Sequence, residues 1–193
     1  MTEHAKAIAR AFEGRSRNKW SDKPVSIELL KQLYDTVKLG PTSLNSCPAR
    51  FRFLVSQSAR ERLAPHAMEG NRNKILTAPC VVIVAYDTAF YEQLPRLLPI
   101  REGIKDLFAN NAELAQITAF RNGTLQGAYL IIAARLLGLD CGPMSGFNHG
   151  GVDSEFFEGT TLKSNFLCAI GYANDEPFPR LPRLTFEEAV EVL

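Results

Sequence analysis

The strongest structural signal in the chain is Phe120-Arg-Asn-Gly-Thr-Leu-Gln-Gly-Ala-Tyr-Leu-Ile-Ile-Ala-Ala-Arg-Leu-Leu-Gly138, followed closely by Gly142-Pro-Met-Ser-Gly-Phe147. Apolar residues recur in the first segment at helical intervals of three and four, at Leu125, Tyr129, Ile132 and Leu136. Most positions between them are apolar as well, and a helix that is apolar almost all round is typical of a protein core. Gly138 predicts the end of this helix. The glycines and the proline of the second segment predict a loop whose backbone can lie close to a ligand.

Length and composition bound the class of protein. The 193 residues, of which 46% are hydrophobic and 22% charged, predict one globular domain spanning residues 1–193. A formal net charge of +1 argues against nucleic-acid binding, because there is no basic field to collect phosphates. The longest wholly apolar run, residues 128–134, is far shorter than the roughly 20 residues that a membrane span requires. The N-terminus lacks the apolar core of a signal peptide, so a cytoplasmic location is expected.

The spacing of cysteine and histidine predicts no metal site. The four cysteines are widely scattered and form no CxxC pair, at Cys47, Cys80, Cys141 and Cys168. The three histidines also lie far apart in sequence, whereas zinc requires clustered thiolates or imidazoles. Four reduced cysteines and no metal are therefore expected.

Local patterns predict further helices and strands on both sides of the central segment. Ser26 and the pair Gly40-Pro41 are typical of the start and the end of a helix, and Thr185-Phe-Glu-Glu188 has the capping-box pattern. Apolar runs predict strands at residues 50–55, 80–86 and 164–173. Few βαβ alternations favour an α+β sandwich over a doubly wound parallel fold.

Residues 87–112 give no clear pattern, because two prolines and Gly103 interrupt the helical signal. A lid, an excursion that covers a dimer partner and an ordinary long connection would all have a sequence of this kind.

Three polar segments are candidates for ligand binding. Residues 15–20 place two arginines, a lysine, a hydroxyl and an amide close together, which suits an anion but equally suits a solvated basic loop. Residues 40–48 offer small hydroxyl and amide groups between two prolines. Asn71 and Lys74 are three residues apart and share one face of a helical turn. The sequence contains neither a GxGxxG fingerprint nor a P-loop.

In their order along the chain, these motifs resemble the FMN-dependent nitroreductase family. The resemblance rests on the basic Arg-Ser loop, Pro-Thr-Ser-x-Asn-x-x-Pro, Asn-x-x-Lys, Gly-Pro-Met-Ser-Gly-Phe and the C-terminal Arg-Leu-Pro-Arg. Each motif is weak alone, whereas the set in register is fairly specific. Together with Thr77-Ala-Pro79 and Thr161-Leu-Lys-Ser-Asn165, they look closest to the branch that holds malonic semialdehyde reductases and proteins named NADH dehydrogenase or NAD(P)H nitroreductase.

The resemblance implies a fold, an assembly and a cofactor. It implies a three-layer α/β/α sandwich, with a mostly antiparallel central sheet flanked by helices, and an intertwined homodimer with two FMN sites at the subunit interface. Each site would combine loops from both chains, and NADH or NADPH would be the reductant. The implied cofactor-binding residues are Arg15, Ser16, Arg17, Pro41, Thr42, Ser43, Asn45, Asn71, Lys74, Pro143, Met144, Ser145, Gly146, Arg180 and Arg183.

The implied roles follow from the chemistry of the flavin. The arginines of the basic loop, with Arg180 or Arg183, would neutralise its phosphate. Lys74 and Asn71 would face its pyrimidine edge, where a cation favours the anionic reduced flavin. Residues 143–146 would pass behind the ring system, and the 40–48 loop would complete the pocket wall.

The chain also departs from the family pattern. Members often carry Arg-x-Ser-x-Lys/Arg in the first loop, whereas here Gly14 occupies the first position and Asn18 the later basic one. Cys47 and Ala49 stand where many relatives carry Gln and Trp, which opens the pocket. Ser145 stands where some relatives carry Glu, so its contact would be made through the backbone.

The implied function is an FMN-dependent NAD(P)H oxidoreductase, with ping-pong hydride transfer through flavin N5 to a small organic acceptor. Malonic semialdehyde, reduced to 3-hydroxypropionate, is the first candidate. No side chain need act as a nucleophile, since the cofactor carries the chemistry. Arg50, Arg121 and His149 are candidate substrate contacts, and each has an ordinary alternative as a strand-edge charge, a helix ion-pair partner or a surface histidine. A broad-specificity nitro or quinone reductase and a non-catalytic flavin-binding protein are the alternatives.

Overall fold

A computed structural model describes residues 2–193. The α-helices are α1 Glu3–Ile8, α2 Ile27–Val37, α3 Gln57–Leu63, α4 Glu69–Thr77, α5 Leu94–Leu97, α6 Ile104–Ala109, α7 Ala112–Leu136, α8 His149–Phe157 and α9 Phe186–Ala189. The strands are β1 Ala49–Leu54, β2 Cys80–Asp87, β3 Asp140–Met144 and β4 Leu162–Gly171. A π-helical turn, Ala9–Glu13, extends α1.

The strands form one antiparallel sheet in the order β1-β2-β4-β3. The central strand β2 is buried at every position from Cys80 to Tyr86, as its continuous apolar sequence predicts. The edge strands are β1 and β3, so the segments that flank them lie on opposite sides of the sheet.

Alternating residues of the central strands build two separate cores, because successive side chains of a strand point to opposite faces. Val81 and Ile83 pack on one face with α3, α4 and α8. Val82 and Val84 pack on the other face with α2 and α7. The result is a helix–sheet–helix sandwich, which confirms the three layers and the antiparallel sheet of the predicted fold class.

The long helix α7 is only half buried, so the prediction of a fully buried helix was wrong. Its buried face carries small and polar residues, among them Gly123, Gly127, Asn122 and Gln126. Large apolar side chains point outward instead, at Ile117, Phe120, Leu125 and Leu136. The glycines decide the orientation, since they let the helix lie against the sheet where a larger side chain would not fit. Despite the 25 residues of α7, neither it nor any other helix within residues 2–193 has the length and apolar character of a membrane span.

Gly127 supplies a test of this close packing. A Cβ at Gly127 would lie 2.5 Å from Phe166 Cε1 and 3.1 Å from Val84 Cγ1, so Gly127→Ala overpacks the core. We expect a net loss of about 1–2 kcal/mol in the free energy of unfolding, since overpacking outweighs the helix propensity of alanine. The control is Gly70→Ala on α4, where no atom lies within 4 Å and a gain of about 0.4–1 kcal/mol is expected. Equal urea midpoints for the two variants would contradict the packing argument.

Residues 87–119 fold into a compact cap rather than an extended connection. Phe90, Leu94, Ile104 and Phe108 are buried in a third apolar cluster, which also contains Tyr86 and the first turns of α7. The rings of Phe90 and Phe108 pack edge to face with their centroids 5.0 Å apart.

The structure also corrects the segment that follows α7. Gly138 ends the helix with a φ of +83°, as predicted. Asp140–Met144, however, is an edge strand paired with β4 and not a loop. Pro143 fits there, because proline is tolerated in edge strands. The loop itself comprises only residues 145–148.

Candidate functional site

The structure divides the predicted site residues into two groups. One group surrounds β3 and contains the basic loop, α4, the 145–148 loop and part of the C-terminal segment. The other group is the 40–48 loop, which leads into β1 at the opposite edge of the sheet. Three strand spacings of about 4.8 Å separate the two edges, or roughly 14 Å. One chain therefore does not bring the two groups together.

Hydrogen bonds join the first group into one surface. Arg17 N donates to Cys141 O at 3.0 Å, which aligns the basic loop with β3. Asn71 Nδ2 donates to Gly146 O at 3.1 Å, and Met68 N donates to the same oxygen at 3.0 Å. The predicted Asn71-x-x-Lys74 motif and the 143–146 segment are thus neighbours in space.

Lys74 lies beside β3 on α4. Its Cδ is 3.2 Å from the point that a Cβ on Gly142 would occupy. It forms no ion pair with any carboxylate of residues 2–193. Burial lowers the pKa of Lys74, and the charge of Asp175 offsets only part of that effect. A half-buried ammonium with no close counter-charge is suited to an anionic or electron-rich ligand.

A second cationic feature is a depression of about 360 Å³ between the basic loop, the end of α7 and the C-terminal segment. Its lining includes Ser16 and four arginines, Arg15, Arg135, Arg180 and Arg183. Main-chain carbonyls hold these side chains: Arg15 Nε donates to Phe178 O at 3.3 Å, and Arg180 Nη2 donates to Glu13 O at 3.0 Å. Within residues 2–193 no carboxylate pairs with any of the four. The depression therefore carries uncompensated positive charge.

Arg17 lies outside this depression. Its guanidinium forms an ion pair with Asp175, with Nε 3.1 Å from Oδ1, and also donates to the main-chain oxygen of Asp175. Asn18 N donates to the other carboxylate oxygen at 3.2 Å. Arg17 thus ties the basic loop to the start of the C-terminal segment, and Asp175 neutralises its charge.

The 40–48 loop is held in an unusual conformation by α7. Ser43 N donates to Asn122 Oδ1 at 2.8 Å, and Tyr129 OH donates to Pro41 O at 2.9 Å. Three non-glycine residues of this loop have positive φ, Leu44, Asn45 and Cys47. Such backbone strain persists only where the surroundings impose it, and it is concentrated at functional sites.

Two supporting residues were missed in the sequence. Asn122 is buried and also donates to Thr118 O, while Gln126 Oε1 accepts a hydrogen bond from Ala49 N at 2.9 Å. Together they fix the middle of the 40–48 loop at Ser43 and the start of β1 at Ala49. The signal was available, since two amides four residues apart share one face of a helix, and on the buried face both need hydrogen-bond partners.

A cavity of about 710 Å³ opens beside the 40–48 loop and the cap. Asn45 and Cys47 line it, and Asn45 Nδ2 donates to Leu97 O of α5 at 2.8 Å. Arg50 also lines it, but Arg50 Nη2 pairs with Asp87 Oδ2 at 2.8 Å and Nη1 donates to two main-chain oxygens. Arg96 lines the same cavity and pairs with no carboxylate of the described chain.

The remaining candidates lie elsewhere. Arg121 is exposed on α7, beside the outward apolar residues. His149 lies at the start of α8, where its Nδ1 is 3.1 Å from Ser164 Oγ and its ring packs on Phe147 with centroids 4.1 Å apart. No group of three or more potential metal ligands occurs among residues 2–193.

The four cysteines are free thiols. Cys80, Cys141 and Cys168 are buried, and burial raises the pKa of Cys80 to about 12. These three buried thiols are therefore poor nucleophiles.

Comparison with known proteins finds a matching family model and similar curated proteins. Residues 14–172 match the family model described as "Nitroreductase family". The chain is 52% identical over 187 residues to "Putative NADH dehydrogenase/NAD(P)H nitroreductase HadB" of Ralstonia pickettii, covering 95% of each chain. It is 51% identical to a protein of the same description from Cupriavidus pinatubonensis, covering 96% of each.

Solved structures match the fold at low sequence identity. A "putative nitroreductase in complex with FMN" from Exiguobacterium sibiricum superposes with a TM-score of 0.85 at 22% identity, covering 99% of this chain and 97% of that one. A "Nitroreductase Family Protein" from Streptococcus pneumoniae superposes with a TM-score of 0.83 at 19% identity, covering 98% and 99%. At these sequence identities the structural similarity supports the fold and not a specific function.

Proposed function

The chain belongs to the nitroreductase family, and from that membership and the geometry of the site we propose that it is an FMN-dependent NAD(P)H oxidoreductase that acts as a homodimer. The observation that carries this proposal is the division of the predicted site between opposite edges of the sheet. A flavin would bind where the β3 side of one chain meets the 40–48 loop of its partner.

The residues of the β3 side have the chemistry that FMN requires. A flavin phosphate carries nearly two negative charges, and the depression lined by Arg15 and Arg180 offers guanidinium groups that pair with no carboxylate of residues 2–193. The ring system would lie near Lys74 and Asn71. Asn71 donates one N–H to Gly146 O, and its side-chain oxygen and second N–H form no hydrogen bond with the described residues, so both are available to a polar ring edge.

The surface of the chain supports the dimer. Ile117, Phe120 and Leu125 are exposed on one face of α7, where they line an apolar groove. The C-terminal segment is also exposed and rich in apolar residues, namely Phe178, Leu181, Leu184, Phe186, Val190, Val192 and Leu193. Apolar surface on this scale is typical of a protein–protein interface. A second copy of the chain that packs on α7 and contacts the C-terminal segment would bury both of these apolar surfaces.

The chain's own residues would bind and orient rather than react. The chemistry that bound FMN would supply is hydride transfer between NAD(P)H and the second substrate. Lys74 would stabilise the negative charge that reduction places on the ring, and it is available for that role because it pairs with no carboxylate of the described residues. The strained 40–48 loop, fixed by Asn122 and Gln126, would hold the opposite wall in place.

We propose a small anionic aldehyde as the acceptor, with malonic semialdehyde as the first candidate. Its reduction to 3-hydroxypropionate consumes one NAD(P)H and one proton. Asp87 already neutralises Arg50, so Arg96 is the better cation for a carboxylate in the cavity beside Asn45. A broad-specificity nitro or quinone reductase is the alternative, since relatives carry the name nitroreductase.

Arg96→Gln tests the proposed acceptor site. We expect the KM for malonic semialdehyde to rise about tenfold, because a charge-assisted hydrogen bond contributes about 1.5–3 kcal/mol. The KM for propionaldehyde, which lacks the carboxylate, should not change. Arg101→Gln is the matched control, since Arg101 is exposed in the same cap but does not line the cavity. An equal rise for both aldehydes would exclude Arg96 as a carboxylate ligand.

Anaerobic mixing with NADH and then NADPH tests the activity itself. Bleaching of the flavin absorbance by either nucleotide is the expected result. Malonic semialdehyde, a quinone and a nitroaromatic are then offered separately to the reduced protein, and the fastest reoxidation identifies the class of acceptor. A flavin that stays oxidised with both nucleotides would favour a non-catalytic flavin-binding protein.

A further inference from the structure

We propose that Arg135, in the last turn of α7, is a ligand of the FMN phosphate and fills the space that a side chain at position 14 would otherwise occupy. The inference rests on the proposed flavin site. It adds a residue that lies far in sequence from the basic loop and from the C-terminal arginines.

The packing of Arg135 against Gly14 is the first observation. A Cβ built on Gly14 would lie 3.1 Å from Arg135 Nε, 3.3 Å from its Cδ and 3.4 Å from its Cζ. The Arg135 guanidinium therefore occupies the space beside the basic loop that Gly14 leaves open. Gly14 is also where the chain departs from the Arg-x-Ser-x-Lys/Arg pattern, so α7 supplies a cation beside the one position at which the loop has glycine in place of arginine.

The second observation concerns charge. Arg135 lines the same depression as Arg15, Arg180 and Arg183. Its one protein hydrogen bond runs from Nη1 to Ala11 O at 3.0 Å, which leaves Nε and Nη2 without a partner in the described chain. Four guanidinium groups around one depression repel one another, and a dianion in their midst would remove that repulsion.

The alternative role for Arg135 is purely structural. A cation at a helix C-terminus is favourable, and the bond to Ala11 ties α7 to the π-helical turn. That role would affect stability but would not distinguish a phosphorylated flavin from an unphosphorylated one. Riboflavin, which shares the ring system of FMN and lacks the phosphate, separates the two roles.

The test is a fluorescence titration of the 193-residue chain, freed of co-purified flavin, with FMN and with riboflavin. Arg135→Met keeps most of the side-chain volume and removes the charge. We expect its Kd for FMN to rise about tenfold and its Kd for riboflavin to stay within about twofold of the original. Arg10→Met is the matched control, since Arg10 is exposed nearby but lines a different depression, and its FMN affinity should not change.

A reciprocal exchange guards against a general loss of structure. Gly14 has φ −55° and ψ 143°, a conformation open to any residue, so an arginine fits there once Arg135 is shortened. Gly14→Arg combined with Arg135→Ala should regain at least part of the FMN affinity that Arg135→Ala alone loses.

The outcomes separate this inference from the proposed function. If the unaltered chain binds neither flavin, the proposed function fails. If it binds FMN tightly and Arg135→Met binds FMN equally well, or loses FMN and riboflavin affinity in parallel, Arg135 is not a phosphate ligand.

Discussion

Leu125→Arg is expected to convert the proposed homodimer into a monomer that binds FMN about 100-fold more weakly. Leu125 lies in the exposed apolar groove of α7, and a buried arginine without a partner is costly at the centre of an interface. The affinity for FMN falls as well, because a monomer supplies only half of each proposed site, either the β3 side or the 40–48 loop. Sedimentation velocity and the flavin content of the purified protein measure the two effects.

The control for this variant is Ile100→Arg. Ile100 is also a large apolar residue and is 91% exposed, but it lies in the cap rather than in the groove. Ile100→Arg should remain dimeric and yellow. A dimeric Leu125→Arg protein with a full complement of FMN would show that the α7 groove is not the subunit interface.

Lys74→Met is expected to slow the anaerobic reduction of the flavin by NADH about 100-fold. Removal of one preorganised charge from a site where negative charge develops typically costs a factor of this order. Lys31→Met, on the exposed face of α2, is the matched control and should leave the rate unchanged. A stopped-flow rate for Lys74→Met that equals that of the control would remove Lys74 from the mechanism.

The same substitution should not destabilise the flavin-free protein. Burial lowers the pKa of Lys74, so the folded state binds its proton less tightly than the unfolded state does. Below its ordinary pKa, the charged lysine therefore costs stability, and that cost falls as the pH rises through the folded-state value. Lys74→Met removes the cost, and we expect a Tm at pH 7 equal to or above that of the original protein. A clearly lower Tm would indicate a structural role.

Elements with local signals could be predicted from the sequence. Ser26 caps α2 and accepts a hydrogen bond from Leu29 N, and Thr185 and Glu188 form the predicted capping box of α9. The strand β2 follows from the seven consecutive apolar residues from Cys80 to Tyr86, all of which are buried in the structure. In each case the residues that decide the structure are neighbours in sequence.

Features that depend on distant partners could not be predicted. The segment around Gly142 is a strand because it pairs with β4, although glycine and proline are poor strand formers. The orientation of α7 depends on where its glycines meet the sheet. The apolar repeat in its sequence does not mark the buried face, because Leu125 and Leu136 of that repeat are exposed in the single chain.

The candidate site shows the same division. The order of the motifs led us to expect Asn71 and Lys74 on the same site as residues 143–146. In the fold Asn71 contacts Gly146, and Lys74 lies beside Gly142. The basic loop, by contrast, contains two arginines in different surroundings: Asp175 neutralises Arg17, whereas Arg15 faces the open depression. Tertiary packing alone distinguishes them.

Complementation between two impaired variants in a hybrid dimer tests the central claim, which is that opposite sheet edges of two chains bind each flavin. Lys74→Met impairs the β3 side, and Ser43→Trp places a large side chain on the exposed 40–48 loop of the β1 side. The two chains are co-expressed with different tags, and hybrid dimers are purified on both tags. We expect each variant alone to be impaired and the hybrid to recover about half of the original rate of flavin reduction, because one of its two sites contains neither substitution. A hybrid no more active than its parents would show that each flavin is not bound between opposite sheet edges of two chains.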